Sequence, residues 1–297
     1  MRRILVTGAG GFLAGPLIDR LEKGGRVFKL GRTASPGISV FDLSDAAAAR
    51  AAVGATRPDE VYHLAGTARG SGWDAMWRTH VSATVNLLEA LAARGAPVRV
   101  VVSGSSAEYG AAGGESMVSE DSPLEPVTLY GSCKLAQTLA ALSFARGPIE
   151  VVAARIFNVL GPGTPENLAP GAFAQQVKRI ADGLQSPKVS VGDLTPRRDY
   201  VDVRDVAAAL ERLMRRGLSG ECYNVGSGRS RPMSEILRGL ADAAGLRIRP
   251  VTDPSRVRRS EVRDLAASTR KIRALGWSPR FPLARSLADT LQDRRTR

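Results

Sequence analysis

Tyr130 and Lys134, four residues apart, form the first pattern in this 297-residue chain that could do chemistry. They open an Ala- and Leu-rich segment that predicts a helix, and residues four apart share one face of a helix. The positive charge of Lys134 favours a tyrosinate and should lower the pKa of Tyr130. Tyr130 could then exchange a proton near neutral pH. Ser105, which follows an apolar run at 98–102 predicted as a buried parallel strand, could hydrogen-bond the reacting oxygen.

The Tyr-x-x-x-Lys spacing also fits an exposed tyrosine beside a solvated lysine, so its meaning depends on a cofactor site elsewhere. The N-terminus supplies one. A predicted strand at 3–7 leads through a Gly-rich turn at 8–15 into a helix that ends near Leu21, which is a dinucleotide-binding fingerprint. Gly8 would form the tight turn, and Gly11 would let the backbone approach the pyrophosphate at the helix N-terminus. A tight turn without a ligand is the alternative.

The end of the second predicted strand indicates which dinucleotide binds. The strand runs from Val27 to Leu30 and is followed by Gly31-Arg32, where an NAD enzyme usually has an acid for the ribose 2′-hydroxyl. Arg32 suits a 2′-phosphate, so NADP is the predicted cofactor. The alternative is that NAD binds beside a solvated Arg32.

The remaining elements of the first half alternate between strand and helix. A short strand ends at 41–43, where Asp42 could contact the adenine, and another runs from Glu60 to Gly66. His63 should pack within this strand. A long helix is expected over about Trp73–Ala93. The alternation predicts an α/β fold with a doubly wound parallel sheet of the Rossmann type.

Length, apolar content and cysteine use narrow the class of protein. The chain suits one large α/β domain plus a small lobe. It has no apolar run long enough to span a membrane. Its basic start leads directly into a predicted strand and does not have the pattern of a signal peptide. We therefore expect a cytoplasmic protein without a membrane partner. Cys133 and Cys222 lack metal-type spacing, and neither a metal site nor a disulfide framework is predicted.

The net charge of +13 at first suggests binding to nucleic acid. The arginines, however, are spread along the chain, and no aromatic residues are interleaved with them for base stacking. We therefore expect a small anionic substrate and no nucleic-acid partner.

Taken in order, these motifs resemble the extended short-chain dehydrogenases/reductases of the NAD-dependent epimerase/dehydratase group, which act on nucleotide sugars. The matching segments are Thr7-Gly8-x-x-Gly11-Phe12, Asp42-Leu43, His63-Leu64-Ala65, Ser105 and Tyr130-x-x-x-Lys134. The resemblance implies a catalytic triad of Ser105, Tyr130 and Lys134, with Ser106 as the fallback for the serine. It implies a cofactor site of Gly8, Gly11, Phe12, Leu13, Arg32, Asp42, Leu43, Leu64, Ala65, Gly66, Tyr130, Lys134 and Ile156.

The second half also matches the family. Arg155-Ile156-Phe157-Asn158 is similar to its Arg-Pro-Phe-Asn signature, whose Asn meets the substrate diphosphate. Arg198 is placed to grip a phosphate with its planar fork of donors. The resemblance implies a substrate site of Ser106, Glu108, Asn158, Asn167, Leu168, Arg198, Arg258 and Glu261. Residues 1–160 and about 197–226 should form the dinucleotide-binding domain, and about 161–196 and 227–297 a smaller, discontinuous C-terminal substrate lobe.

Within the family, the segment Ser105–Gly110 resembles reductases of GDP-4-keto-6-deoxymannose. Dehydratases need a general acid two residues after the catalytic serine, where this chain has Ala107, and Glu108 on an extended segment would point away. We therefore predict an NADP-preferring reductase of a 4-keto-6-deoxy nucleotide sugar, with Tyr130 as general acid. The alternatives are a nucleotide-sugar 4-epimerase with tightly bound NAD and a non-catalytic cofactor-sensing module, which would not need the triad.

Two apolar helices, about Trp73–Ala93 and Leu129–Phe144, are predicted to pair across a two-fold axis. The resemblance implies a homodimer built on this four-helix bundle.

Overall fold

Short apolar strands alternate with helices along most of the chain. The computed structural model describes residues 1–67, 72–111, 117–257 and 262–292. The strands are β1 (Arg3–Thr7), β2 (Arg26–Gly31), β3 (Ser39–Val40), β4 (Glu60–His63), β5 (Val98–Ser105), β6 (Met117–Val118), β7 (Ile149–Ile156), β8 (Asn158–Leu160), β9 (Lys188–Val191), β10 (Arg197–Asp202), β11 (Cys222–Val225), β12 (Ser230–Pro232), β13 (Arg249–Thr252) and β14 (Asp264–Ala267). The α-helices are α1 (Ala14–Leu21), α2 (Ala46–Thr56), α3 (Trp73–Trp77), α4 (Ala83–Ala93), α5 (Leu129–Ser143), α6 (Ala169–Ala181), α7 (Val203–Arg216), α8 (Met233–Ala243), α9 (Arg270–Ala274) and α10 (Leu283–Gln292).

The larger sheet has seven strands in the order β11-β7-β5-β4-β1-β2-β3, and every pairing is parallel. The strand order reverses between β1 and β4, because the chain winds outward in one direction to β3 and in the other to β11. A doubly wound sheet opens a ligand crevice at the carboxyl ends of its strands at such a switch point. The predicted Rossmann-type fold is confirmed.

Helices cover both faces of this sheet. On one face α1 and α7 pack their apolar sides against it through residues such as Leu17 and Leu210. On the other face α2 and α4 contribute residues such as Val53 and Leu87. Because β5 is covered on both faces, its run of valines is buried, as expected of a central parallel strand.

The smaller lobe has its own sheet and core. Its sheet has the order β12-β10-β14-β6, with β8 paired to β10, and its core is formed by residues of α6, α8 and α10 such as Phe173, Leu237 and Leu287. The strand β10 therefore lies in the smaller sheet, although segment 197–226 was predicted to belong to the dinucleotide-binding domain. Conversely, Ile272 of α9 and Trp277 pack into the core of the large sheet. Strand partners distant in sequence decide this division, and a local pattern does not reveal them.

The helix predicted over about Trp73–Ala93 is interrupted. It consists of α3, a π-helical turn at Arg78–Ser82 and α4. A π-turn holds an extra residue within a helix and is frequent at functional sites. Within the described ranges, no helix combines the length and apolar character needed to cross a membrane.

Candidate active site

Ser105 and Tyr130 meet at the carboxyl edge of the large sheet. The strand β5 carries Ser105 to this edge, and α5 begins beside it, with the Thr128 hydroxyl accepting a hydrogen bond from the Gly131 N–H at 3.0 Å. A Cβ atom on Gly131 would lie 2.5 Å from the carbonyl oxygen of Ala107, so only glycine allows the helix to come this close. The close approach places the Tyr130 phenol within hydrogen-bonding reach of the Ser105 side chain.

The predicted lowering of the Tyr130 pKa is wrong, because its net shift is upward. Burial raises the pKa of Tyr130 above its usual value, and the hydrogen bond with Ser105 only partly opposes that rise. Lys134 is 5% exposed, and its Nζ donates to the carbonyl oxygen of Ser103 at 2.7 Å and to Oε1 of Gln137 at 2.9 Å. Burial lowers the pKa of Lys134 to about 8. Tyr130 is thus a protonated phenol near neutral pH, a state suited to donating a proton.

A buried chain of hydrogen bonds continues from Lys134 into the sheet. Nε2 of Gln137 donates to the Thr84 hydroxyl at 2.9 Å, which also contacts Nε2 of His63 at 2.9 Å. Nδ1 of His63 contacts the Thr7 hydroxyl at 2.8 Å. Burial lowers the pKa of His63 to about 3, so the ring is neutral and packs within the sheet as predicted. These hydrogen bonds fix the position of Lys134 relative to β4 and β1.

Two adjoining cavities follow the carboxyl edge of the sheet from Tyr130 to the end of β2. The larger has a volume of about 410 Å³, the smaller about 90 Å³, and both are lined by Gly8 and Gly66. The predicted cofactor residues that line the larger cavity are Gly8, Gly11, Phe12, Leu13, Leu64, Gly66, Tyr130, Lys134 and Ile156. Those that line the smaller one are Gly8, Arg32, Asp42, Leu43, Ala65 and Gly66. Every residue of the predicted cofactor site therefore faces one cleft.

The backbone of the Gly-rich turn fits a pyrophosphate. Gly8 has φ +68°, and a Cβ atom there would lie 2.8 Å from the backbone of Leu64 and Ala65, so the turn requires glycine. The N–H groups of Phe12 and Leu13, directly before α1, donate to no backbone acceptor within the described ranges. Free N–H groups at a helix N-terminus form an anion site.

The far end of the cleft carries a positive side chain. Arg32 is exposed, forms no ion pair in the described part of the chain, and reaches the Thr79 hydroxyl at 3.4 Å. Asp42 accepts a hydrogen bond from the Ser44 N–H at 3.0 Å, which lowers the pKa of its carboxyl. An arginine at this strand end suits a 2′-phosphate.

Four predicted substrate residues also line the larger cavity: Ser106, Asn158, Asn167 and Leu168. Asn167 and Leu168 border a further cavity of about 340 Å³ in the lobe, where Phe173 and Met233 supply apolar walls. The two cavities together offer an elongated site that continues from Tyr130 into the lobe.

Glu108, predicted to bind substrate, does not line these cavities. It is fully buried, its Oε2 accepts a hydrogen bond from Nε of Arg155 at 2.9 Å, and its Oε1 accepts from the Ser105 N–H at 2.8 Å and the Thr138 hydroxyl at 3.0 Å. Burial raises the pKa of this carboxyl, and the charge of Arg155 opposes the rise. The 3₁₀ turn at Ser106–Glu108 directs the side chain inward, where it positions the Ser105 backbone instead of facing substrate.

Arg198 is not among the residues that line these cavities. Its guanidinium donates to the carbonyl oxygens of Arg197 and Val262, each at 2.7 Å. Arg258 and Glu261 lie outside the described residues.

Sequence reasoning missed His80, which lines the larger cavity beside Tyr130 with 5.6 Å between the ring centroids. The available signal was that His80 follows Met76 by four residues, on the buried stripe of the predicted helix. The described residues contain no group of three or more His, Cys, Asp or Glu side chains that could hold a metal ion.

A doubly wound sheet with a dinucleotide cleft that ends at Ser, Tyr and Lys defines an oxidoreductase of the short-chain dehydrogenase/reductase type. Residues 4–226 match the NAD dependent epimerase/dehydratase family, and the chain belongs to that family. It is an NAD(P)-dependent enzyme of a group that includes reductases, epimerases and dehydratases acting on nucleotide sugars.

Individual relatives cover most of the chain. GDP-6-deoxy-D-mannose reductase from Pseudomonas aeruginosa is 35% identical over 80% of this chain and 80% of its own length. The dTDP-6-deoxy-L-talose 4-dehydrogenase (NAD(P)(+)) from Kitasatospora kifunensis is 31% identical over 97% of this chain and 94% of its own length. The structure of RMD from Pseudomonas aeruginosa complexed with NADPH superimposes with a TM-score of 0.87 at 30% identity, covering 99% of this chain and 98% of that one.

Proposed function

We propose that this chain is a reductase of a 4-keto-6-deoxy nucleotide sugar that prefers NADPH. The observation that carries the proposal is the set of groups facing the larger cavity, where the protonated Tyr130 lies beside Ser105 and no described carboxylate lines the wall. Reduction of a ketone needs one proton donor, whereas elimination of water needs a further acid at the reacting carbons. The side chain of Ala107 has no acidic group, and that of Glu108 is buried away from the cavity, so neither can supply this second acid.

The residues divide the work of a ketone reduction. When bound, the nicotinamide supplies a hydride to C4 of the sugar. Ser105 donates a hydrogen bond to the carbonyl oxygen, and Tyr130 transfers its phenolic proton to that oxygen as negative charge develops. Lys134 places a positive charge behind the tyrosinate that results. One hydride and one proton convert the ketone to a secondary alcohol, and Tyr130 regains a proton from solvent before the next cycle.

Arg32 and the free N–H groups of the Gly-rich turn support NADPH as the reductant. The solved relative with NADPH bound, from Pseudomonas aeruginosa, agrees with that choice. The relative acting on GDP-6-deoxy-D-mannose and the segment Ser105–Gly110 favour a GDP-linked substrate. The cavity that continues past Asn167 into the lobe offers room for its nucleotide.

The test is to incubate the purified protein with NADPH and GDP-4-keto-6-deoxymannose, with the dTDP- and UDP-linked 4-keto-6-deoxy sugars as comparisons. We expect loss of NADPH absorbance, one equivalent for each product formed, and the fastest rate with the GDP sugar. Accumulation of a C4 epimer without loss of NADPH would refute the reductase assignment and indicate a 4-epimerase. A faster rate with the dTDP- or UDP-linked sugar would support the reductase assignment and contradict the assigned GDP nucleotide.

A further inference from the structure

The buried carboxylate of Glu108 lies next to Ser105 without lining the larger cavity. Ser105 is half-buried and borders that cavity, whereas Glu108 is fully buried. A Cβ atom built on Gly104 would stand 2.6 Å from Oε1 of Glu108, so the carboxylate occupies space that this glycine leaves open. The residue that precedes the reacting serine therefore makes room for a charged group beside it.

Ser105 and Glu108 form a capping box across the 3₁₀ turn at Ser106–Glu108. Oε1 of Glu108 accepts a hydrogen bond from the Ser105 N–H at 2.8 Å, and Oγ of Ser105 accepts one from the Ala107 N–H at 3.2 Å. The Ala107 N–H uses one lone pair of Oγ. The hydroxyl hydrogen and the second lone pair are therefore left for groups in the cavity, where Tyr130 lies and a ketone would bind.

Three donors hold the Glu108 carboxylate in place. The Nε–H of Arg155 and the N–H of Ser105 can only donate, and they reach different oxygens, Oε2 at 2.9 Å and Oε1 at 2.8 Å. The Thr138 hydroxyl donates to Oε1 at 3.0 Å. The ionised carboxylate, which accepts at both oxygens, matches this arrangement. Arg155 is 4% exposed and supplies the counter-charge that lets the carboxylate stay ionised in the core.

We propose that Glu108 is a positioning residue for the reduction, whose carboxylate fixes the Ser105 backbone and thereby directs the Ser105 hydroxyl at the carbonyl oxygen of the substrate. The inference rests on the proposed reduction and assigns to a residue outside the cleft control over a group inside it. Arg155 contributes by holding the second oxygen of the same carboxylate. Since Glu108 does not line the cavity, its effect on the rate must pass through Ser105.

The substitution Glu108→Gln keeps the shape of the side chain but leaves one acceptor oxygen for two groups that can only donate. The charged guanidinium of Arg155 binds that oxygen more strongly than a neutral amide does, so the new NH₂ group faces the Ser105 N–H. Ser105 then loses the bond that fixes it. We expect the single-turnover rate of NADPH oxidation to fall about 10- to 100-fold, as for a small misplacement of a reacting group. The Kd for NADPH should stay within about twofold of wild type.

Combining Glu108→Gln with Arg155→Gln should restore the rate. Arg155 contacts the carboxylate through Nε, and the amide of a glutamine at that position reaches the same point, because it follows the same number of carbons. The second amide can accept from the NH₂ group of the first, whose oxygen is then free for the Ser105 N–H. We expect a rate within about threefold of wild type. The double variant also removes both buried charges together, so neither is left unpaired in the core.

A double-mutant cycle with Ser105→Ala tests whether Glu108 acts through Ser105. Ser105→Ala should slow the single turnover by about 10²–10³, the worth of one hydrogen-bond donor to the reacting oxygen. Adding Glu108→Gln in that background should change the rate by less than about twofold. Thr138→Val is the matched control, because it removes a hydrogen bond to the same carboxylate and touches neither Ser105 nor Arg155, and its rate should stay within about threefold of wild type.

Several results would overturn the assignment. They are a wild-type rate in Glu108→Gln, equal slowing in Thr138→Val, no recovery in the variant that also carries Arg155→Gln, and effects of Ser105→Ala and Glu108→Gln that multiply in the cycle. Multiplying effects would mean that Glu108 acts on the reaction by a route other than Ser105.

A second measurement needs no substrate and separates this inference from the proposed function. The Ser105 amide hydrogen, followed by NMR in the cofactor-free protein, should exchange with solvent faster in Glu108→Gln than in wild type, and the added Arg155→Gln should restore slow exchange. Equal exchange in all three proteins contradicts the positioning role. Wild-type protein that oxidises no NADPH with any 4-keto sugar refutes the proposed function, and the exchange rates then decide whether Glu108 fixes Ser105.

Discussion

Replacing Lys134 by methionine should change how the stability of the cofactor-free protein depends on pH. Lys134 is 5% exposed, and burial lowers its pKa from 10.5 to about 8. Taking a charged ammonium out of water is unfavourable, so the protonated lysine costs stability in the folded protein. Methionine has a similar length and cannot be protonated. The variant therefore isolates the titration of this one group.

The sign and size of the effect follow from the two pKa values. Below about pH 8 both the folded and the unfolded chain hold the proton, and the folded protein carries the full cost of the buried charge. Between about pH 8 and 10.5 the unfolded chain binds more protons than the folded one, so stability rises with pH. Since one pKa unit corresponds to about 1.4 kcal/mol, the complete change is about 3 kcal/mol, of which about 2–3 kcal/mol falls between pH 7 and pH 10.

The assay is urea unfolding of wild type and Lys134→Met at pH 7 and at pH 10. We expect the free energy of unfolding of wild type, measured relative to the variant, to rise by about 2–3 kcal/mol between the two pH values. The part of the substitution's effect that does not depend on the proton, such as the altered packing of the side chain, is the same at both pH values and cancels. Lys23→Met, at an exposed position, should follow wild type at both pH values. An unchanged difference between wild type and Lys134→Met would refute the buried-charge reasoning.

Three further predictions concern activity, cofactor choice and assembly. Tyr130→Phe should lower turnover by about 10²–10⁴, the worth of a positioned general acid, while the Kd for NADPH in a fluorescence titration stays near that of wild type. Arg32→Ala should remove a preference for NADPH over NADH, and equal Kd values for the two cofactors in wild type would contradict the role of Arg32. We also propose a dimer through α3, α4 and α5, where Trp73 and Leu139 are 52% and 57% exposed. Light scattering should give a dimer mass for wild type and a monomer mass for Leu139→Arg, and a wild-type monomer would exclude this interface.

The sequence by itself determined the winding of the large sheet and the course of the cofactor cleft. Both follow from local patterns, namely the alternation of apolar strands with helices and the glycine at position 8, which no other residue can replace at φ +68°. Because the carboxyl ends of parallel strands share one edge, residues that follow successive strands must lie together. Arg32, Ala65 and Ser105 therefore line the cleft, as predicted.

Only the tertiary structure decided how the charged and polar groups behave. The pKa of Tyr130 is raised because burial outweighs its neighbours, and Lys134 is held by Gln137, which is linked in turn to residues of other strands and helices. Glu108 turns inward because Arg155, 47 positions away, supplies its counter-charge. His80 faces the cofactor cleft because a π-turn rotates it there. Burial and electrostatic partners arise from contacts between residues far apart in the chain, and local sequence patterns do not encode them.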